Sequence, residues 1–363
     1  MVMKKIVVSR LDNIGDVVMT TPILNQLKRK FPEAKLIYIV RTIAAPAVDR
    51  LPFIDEVIAL PDKKTLGEQL NLIKKMWHAD LAYLVDYTHR IALLAYLARV
   101  RKSIGVAHKR TNLLTQPIKW HKEMDYTYDP VMFAELLKEN TSIDVMQEDN
   151  WNTFHYSEAN SQEKQKMEQL FAAHKLDMAK PYIVFSMYTS HISKNWPEEY
   201  WQQLWQKIGE NYDMPVILTG DNPQNIQFGS NVTDLSGQTN LYELGYVIER
   251  AALVINGCSA PMHIARAFKV PTIGLYGSTP VSKGAPPENI ASFATTAPCA
   301  PCNGDYSSPC EKPFCMQLIQ VDDVYQAVAD FLDKRDSSAN ASGMTRQDNE
   351  NKKSAKDKLN FYP

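Results

Sequence analysis

Short runs of strand-forming residues alternate with helical patterns along this chain, and the alternation occurs twice. In the first third, "KIVVSR", "KLIYIVR", "EVIAL" and "DLAYLVD" are apolar and rich in β-branched residues. They are separated by the helical patterns "DVVMTTPILNQLKRKF", "TLGEQLNLIKKMWH" and "RIALLAYLARV". Apolar strands joined by helices predict a parallel sheet covered on both faces. A less regular region spans roughly 106–180 and holds the helix-prone "SEANSQEKQKMEQLFAAHKL". The alternation then resumes, with "PYIVFSM", "PVILTG", "ALVING" and "PTIGLYG" as strands. "PEEYWQQLWQKIGE", "NLYELGYVIERA" and "PMHIARAF" read as its helices, and a last helix starts at "VDDVYQAVADFL". The chain has 363 residues, enough for two such units. The reading is an α/β protein of two doubly wound units, 1–165 and 166–334, facing each other across a cleft. A polar tail, 335–363, is expected to be disordered.

Composition removes several classes. A net charge of −1 gives no support to nucleic-acid binding. No stretch reaches the roughly 18–20 apolar residues of a spanning helix. "MVMKKIVVSR" is too short in its apolar run for a signal peptide, so the expected location is cytoplasmic. Neither half carries the G-x-G-x-x-G of a nicotinamide-dependent oxidoreductase.

Ligands of doubly wound sheets bind beyond the carboxyl ends of the strands. The loops of interest are therefore "LDNIGD", "MYTSHISK", "GDNPQN", "NGCSAP" and "YGSTP". The first has Gly15 alone and places Asp16 at a helix mouth. A carboxylate there satisfies orphan N–H groups and the positive helix end, and it repels a pyrophosphate. Asp16 is either a capping residue or a base aimed into the cleft by the helix that it caps. The loop "GCSAPMHIARAF" carries no acidic side chain and is the better anion site. Gly257 and Ala260 are small enough for a ligand to approach, Ser259 is the expected N-cap, and Pro261 suits the first helical position. His263 falls on the first turn, as a phosphate donor or a packed histidine. Thr189 and Ser190 supply hydroxyls, Lys194 follows as a phosphate partner or a solvated loop lysine, and Thr279 adds a further hydroxyl.

Cys299, Cys302, Cys310 and Cys315 are spaced C-x2-C-x7-C-x4-C, which admits a structural zinc, with free thiols as the alternative. "HRIALLAYLARVRK" joins an apolar helix to Arg90, Arg99, Arg101 and Lys102. It reads as a sheet-covering helix, or as a basic edge facing an acceptor or a membrane surface.

Three segments together resemble glycosyltransferase family 9, the lipopolysaccharide heptosyltransferases. "VVSRLDNIGDVVMTTPILNQLKRKFPEAKLIYIV" is similar to the family's amino-terminal signature. "DLSGQTNLYELGYVIERAALVINGCSAPMHIARAFKVPTIGLYGSTP" is similar to its donor signature, and "KNWPEEYW" fits as well. The resemblance spans roughly residues 4–325. It implies a GT-B fold and inverting transfer of a heptose from an ADP-heptose donor to a growing lipopolysaccharide core, a lipid-linked saccharide. It implies an acceptor-binding first half and a donor-binding second half, contact with the inner face of the cytoplasmic membrane, and no required cofactor. It assigns Asp16 as catalytic base and Arg10 to the acidic acceptor. Thr189, Ser190, Lys194 and His263 fall to the donor, with Ser259, Ala260 and Thr279 beside them. The family's D-S-G-P-x-H reads Cys258-Ser-Ala-Pro-Met-His here, so a cysteine replaces an aspartate and an alanine a glycine.

Overall fold

The computed structural model describes residues 3–61, 65–177, 180–222, 228–229, 231–286, 289–302, 310 and 314–342. The first half contains β1 (Lys5–Arg10), α1 (Ile14–Lys30), β2 (Lys35–Arg41), β3 (Glu56–Leu60), α2 (Leu66–Met76), β4 (Leu81–Leu84), α3 (His89–Leu97), β5 (Ser103–Val106), β6 (Gln116–Ile118) and α4 (Asp129–Thr141). The second contains α5 (Ser161–Ala173), β7 (Ile183–Ser186), α6 (Glu198–Asn211), β8 (Val216–Leu218), β9 (Val232–Asp234), α7 (Leu241–Glu249), β10 (Leu253–Gly257), α8 (Ala260–Ala267), β11 (Thr272–Tyr276), α9 (Val281–Gly284), β12 (Ala291–Ala294) and α10 (Val321–Ser342).

Each half builds one six-stranded sheet, in the orders β3-β2-β1-β4-β5-β6 and β12-β11-β10-β7-β8-β9. Every pairing is parallel. Counted from its own first strand, each half has the same 3-2-1-4-5-6 order. The chain direction reverses between β1 and β4 and again between β7 and β10. These switch points open crevices at the carboxyl ends of the central strands.

Helix α1 contains Pro22, which removes the N–H that would bond the Val18 carbonyl. The Thr21 hydroxyl donates to that carbonyl at 2.7 Å, so the helix continues through the proline. Helices α2 and α3 cover one face of the first sheet over a core that includes Val7, Ile39, Met76, Leu84 and Leu94. Helices α6 and α10 cover the outer face of the second sheet, burying Trp201, Leu204, Val324 and Val328. The remaining core crosses from one half to the other. Val17, Ile23 and Phe133 share a continuous cluster with Tyr246, Val247, Val254 and Ile264, bridged by Phe154 and Tyr156.

Three expectations change. The 106–180 region is more regular than its sequence suggests, holding β6 and α4 ahead of α5. The 165/166 division falls inside α5, which packs against α7 of the second half while its Glu163 bonds Arg50 of the first. Helix α10 runs on to Ser342, so residues 335–342 of the expected tail are helical. No glycine or proline interrupts 321–342, and Gly343 follows at once, so nothing in the sequence stops the helix earlier. The rest of the tail, 343–363, lies outside the described residues. Among the described residues, no helix is long and apolar enough to cross a membrane.

Candidate active site

The β1 strand delivers Arg10 to its carboxyl end, and α1 begins four residues later. Asp16 is the third residue of α1, behind Asn13 as N-cap. Its Oδ2 accepts the Asn13 backbone N–H at 3.0 Å, the reaching-back half of a capping box. Its Oδ1 accepts from Arg10 Nη2 at 3.1 Å. One oxygen thus caps the helix, as one of the two readings expects, and the other bonds Arg10, with the side chain 23% exposed.

Arg10 is 4% exposed. Its Nη2 also donates to Asp129 Oδ2 at 3.3 Å, and its Nε forms an ion pair with Asp12 Oδ2 at 2.8 Å, off the line of a hydrogen bond. The Phe133 ring lies 4.8 Å beneath the guanidinium. Burial lowers the Arg10 pKa, but Asp16, Asp12 and Asp129 outweigh it and the net shift is upward. The sequence reading gave Arg10 to an acidic acceptor. The structure turns its guanidinium onto three carboxylates of the chain itself, Asp16, Asp12 and Asp129.

Asp12 and Asp129 were missed. Burial pushes the Asp12 carboxyl up to about 6, against the pull of Arg10. Burial also raises Asp129, opposed by Arg10 and by Lys283 from the other half. The signal for Asp129 was the dipeptide Asp129-Pro130, a common helix start, in the region read as irregular. Beside them, the β4 loop is braced from below. Ser9 Oγ donates to buried Asp86 at 2.5 Å, Asp86 accepts the Thr88 N–H at 2.9 Å, and buried Arg110 donates to the Thr88 carbonyl at 3.0 Å. Tyr87 and Trp120 stack edge to face at 5.7 Å, and Lys283 Nζ lies 5.9 Å from the Trp120 ring, so both halves contribute to this wall.

The second half presents its loops at the β7/β10 switch point. The Thr189 N–H donates to Asn195 Oδ1 at 2.8 Å, and its hydroxyl lies 2.9 Å from the His191 carbonyl. Thr189 therefore shapes the loop that carries Lys194, while Ser190 is exposed. Ser193 Oγ donates to Ser278 Oγ at 2.8 Å, tying this loop to the one after β11. Gly257 has a different reason from the one expected. A Cβ there would stand 2.5 Å from the Lys194 carbonyl oxygen, so the close neighbour is the Lys194 backbone. Ser259 is the N-cap of α8, but its hydroxyl donates back to the Gly257 carbonyl at 3.2 Å. Ala260 is the first helical residue and Pro261 the second, one position later than expected. The Cys258 thiol is raised by burial and lowered in part by Lys194 and by a hydrogen bond with Thr279.

His263 is buried against the first half. A Cβ on Gly15 would meet its Cδ2 at 2.8 Å, and Ala260 Cα at 3.5 Å. Burial pushes its pKa down to about 4, opposed by Asp16 and assisted by Arg266 and Lys194. His263 is thus a neutral ring wedged between α8 and α1, and its Nδ1 has no hydrogen-bond partner among the described residues. Arg266, one turn on, stacks 4.0 Å from the Phe154 ring and bonds the Tyr128 hydroxyl, next to Asp129. Asp16 acts electrostatically on both Cys258 and His263, so the two switch points face each other.

Cys315 is raised by burial and by Cys302, Cys299 and Cys310, and its thiol donates to the Ser193 carbonyl at 3.8 Å. Cys315 thus lies against the Lys194 loop. Among the described residues, however, no three histidine, cysteine, aspartate or glutamate side chains are grouped as metal ligands. Residues 303–309 and 311–313, between these cysteines, lie outside the described residues. The zinc reading is not supported by the geometry present.

Two doubly wound units with opposed switch points make the two-domain GT-B architecture. The chain belongs to glycosyltransferase family 9 (heptosyltransferase), whose model matches residues 70–310. It is 25% identical over 285 residues to lipopolysaccharide heptosyltransferase 3 of Escherichia coli K12, covering 73% of this chain and 80% of that one. The family 9 glycosyltransferase of Veillonella parvula superposes with a TM-score of 0.78 at 19% identity, over 92% of this chain and 98% of that one. The ADP-heptose lipopolysaccharide heptosyltransferase II of E. coli superposes at 0.69 with 20% identity, over 92% and 100%.

Proposed function

We propose that this glycosyltransferase moves a heptose from an ADP-heptose to a lipid-linked lipopolysaccharide core acceptor, with inversion at the anomeric carbon. The observation that carries the reading is Asp16, with one oxygen in the helix cap and the other on Arg10, opposite the loop of Lys194. The acceptor hydroxyl attacks the anomeric carbon from the first half. Its proton passes to an Asp16 oxygen as the new C–O bond forms. The bond from the anomeric carbon to the β-phosphate oxygen breaks, and its electron pair leaves with ADP. Lys194 and the amino-terminal N–H groups of α8 face the charge that builds on that oxygen. Arg10 holds Asp16, and Asp12 and Asp129 in turn hold Arg10, so all three are positioning residues that do not touch the reacting atoms. Ser190 and Thr279 stand at the rim as hydroxyl donors to the diphosphate. The acceptor enters past Tyr87 and Trp120 from the inner face of the cytoplasmic membrane. No cofactor takes part in this scheme.

The test is ADP release from ADP-heptose with a Kdo-bearing lipid acceptor. Asp16→Asn is expected to cut turnover by roughly 100-fold or more, the loss expected for a general base, with ADP affinity unchanged in calorimetry. Unchanged turnover would remove Asp16 from the reaction.

A further inference from the structure

We propose that Arg266 is a positioning residue for the transfer reaction: from the donor-side helix α8 it fixes the start of α4, and α4 in turn fixes Arg10 against Asp16. The inference deepens the functional reading above and rests on it, because the reaction it serves is the one in which Asp16 takes the proton.

Helix α8 reaches the first half through two side chains, on the two helices that supply Arg10 with Asp16 and Asp129. His263 packs on Gly15 of α1, next to Asp16. Arg266, one turn later, is 9% exposed and donates through Nη1 to the Tyr128 hydroxyl. Tyr128 is the N-cap of α4. Its carbonyl accepts the Met132 N–H at 2.9 Å, the bond that opens the helix, and the next residue is Asp129. Arg266 Nη2 donates to the Asn152 carbonyl at 3.4 Å. The guanidinium lies 4.0 Å from the Phe154 ring and 5.5 Å from the Tyr128 ring. All of these contacts run from α8 to residues that precede α5. A guanidinium is costly to take out of water, and an aliphatic side chain would fill an apolar seam at less cost. What Arg266 adds is a directed bond to Tyr128.

Helix α4 sets Arg10 by two contacts. Asp129 Oδ2 accepts from Arg10 Nη2 at 3.3 Å, and Phe133, one turn further along α4, lies 4.8 Å beneath the guanidinium. The same nitrogen donates to Asp16 Oδ1 at 3.1 Å. Nη2 is thus shared between a carboxylate on α4 and a carboxylate on α1. A shift of α4 relative to α1 draws Arg10 off one of the two. Arg266 and His263 tie those helices to one short helix and so keep their spacing. The amino end of α8 faces the leaving diphosphate in the functional reading. The half that holds the donor therefore also aligns the base.

The test compares Arg266→Met, which keeps an unbranched apolar stem, with Tyr128→Phe, which removes only the hydroxyl and stays informative if the first variant does not fold. In ADP release from ADP-heptose with the Kdo-bearing lipid acceptor, each is expected to lower kcat by roughly tenfold, the scale of a small misplacement of a reacting group. KM for both substrates should stay within about twofold of the wild type. The double variant should lose no more than about twofold beyond either alone, because the two residues form one bond. In the Asp16→Asn background, Arg266→Met should change the residual kcat by less than about twofold, since nothing is left to align. Crystal structures of the wild type and both variants supply a readout that needs no turnover: in the variants Arg10 Nη2 should lose either Asp129 or Asp16. The proposal is overturned if kcat in both variants matches the wild type, or if KM rises in place of the fall in kcat. It is also overturned if Arg266→Met costs as much without Asp16 as with it, or if Arg10, Asp16 and Asp129 keep their places in both variant crystals. A wild type that releases no ADP would sink the functional reading, and the crystals would still decide whether Arg266 places Arg10.

Discussion

Asp16 does two jobs with two oxygens, and the division is electrostatic. The oxygen on the Asn13 N–H is fixed by the backbone, and the oxygen on Arg10 is fixed by a guanidinium that itself has nowhere else to turn. His263 is the residue on the other side, and its burial has a measurable consequence. Its pKa falls from 6.5 to about 4 in the folded chain, so between those values the unfolded chain binds the extra proton. Stability contributed by the neutral ring is present above pH 6.5 and is lost as pH falls towards 4. The lowering is worth on the order of 3 kcal/mol once complete. Urea midpoints measured from pH 7 to pH 4 should fall more in the wild type than in His263→Gln, and the difference isolates His263 from Asp12, whose raised carboxyl acts in the opposite sense over the same window. An equal slope in the variant would place the titrating group elsewhere.

At the scale of elements, the contact of α1 with α8 explains the single glycine of the first loop. A glycine after a first strand reads as room for a phosphate, but Gly15 makes room for the His263 ring. Gly15→Ala must push the two helices apart, and overpacking of this kind costs about 1–3 kcal/mol. Denaturant unfolding should show that loss. Pairing it with His263→Ala should show a coupling above about 0.5 kcal/mol, because the two sites touch. Purely additive losses would deny the contact. The strands and helices themselves were legible because buried parallel strands and amphipathic helices carry local patterns: β1, β2 and β3 match their sequence runs end to end. Strand β9 (Val232–Asp234) and strand β12 (Ala291–Ala294) were not, since short, half-exposed edge strands lack an apolar run. Helix α4 was hidden because its polar turns looked irregular and its packing face is apparent only against α1.

For the whole molecule, the shared core is the governing feature. The cluster running from Val17 and Phe133 through Phe154 and Tyr156 to Tyr246 and Ile264 belongs to neither half alone. Arg50 stacked 3.5 Å over the Tyr242 ring and the Tyr156 hydroxyl on the Leu241 carbonyl, at 2.8 Å, tie the same seam. The two halves are therefore expected to unfold together. Far-ultraviolet dichroism and tryptophan fluorescence should give coincident urea transitions, even though four of the six tryptophans lie in loops or at helix ends of both halves and only Trp201 and Trp205 lie within one helix, α6. Separate transitions would mean that the seam is too weak to couple them.

Local chemistry, carried by the sequence itself, determined the two doubly wound units, the helix that begins at the Asp16 motif and the membership of a glycosyltransferase family, because periodicity, caps and motif spacing act over a few residues. Only the tertiary structure decided that Arg10 serves three carboxylates, that Gly15 yields to His263 and that Gly257 yields to Lys194. Those outcomes depend on which side chains arrive from distant segments, and on the burial that makes a charge seek a partner when no water is left to hold it.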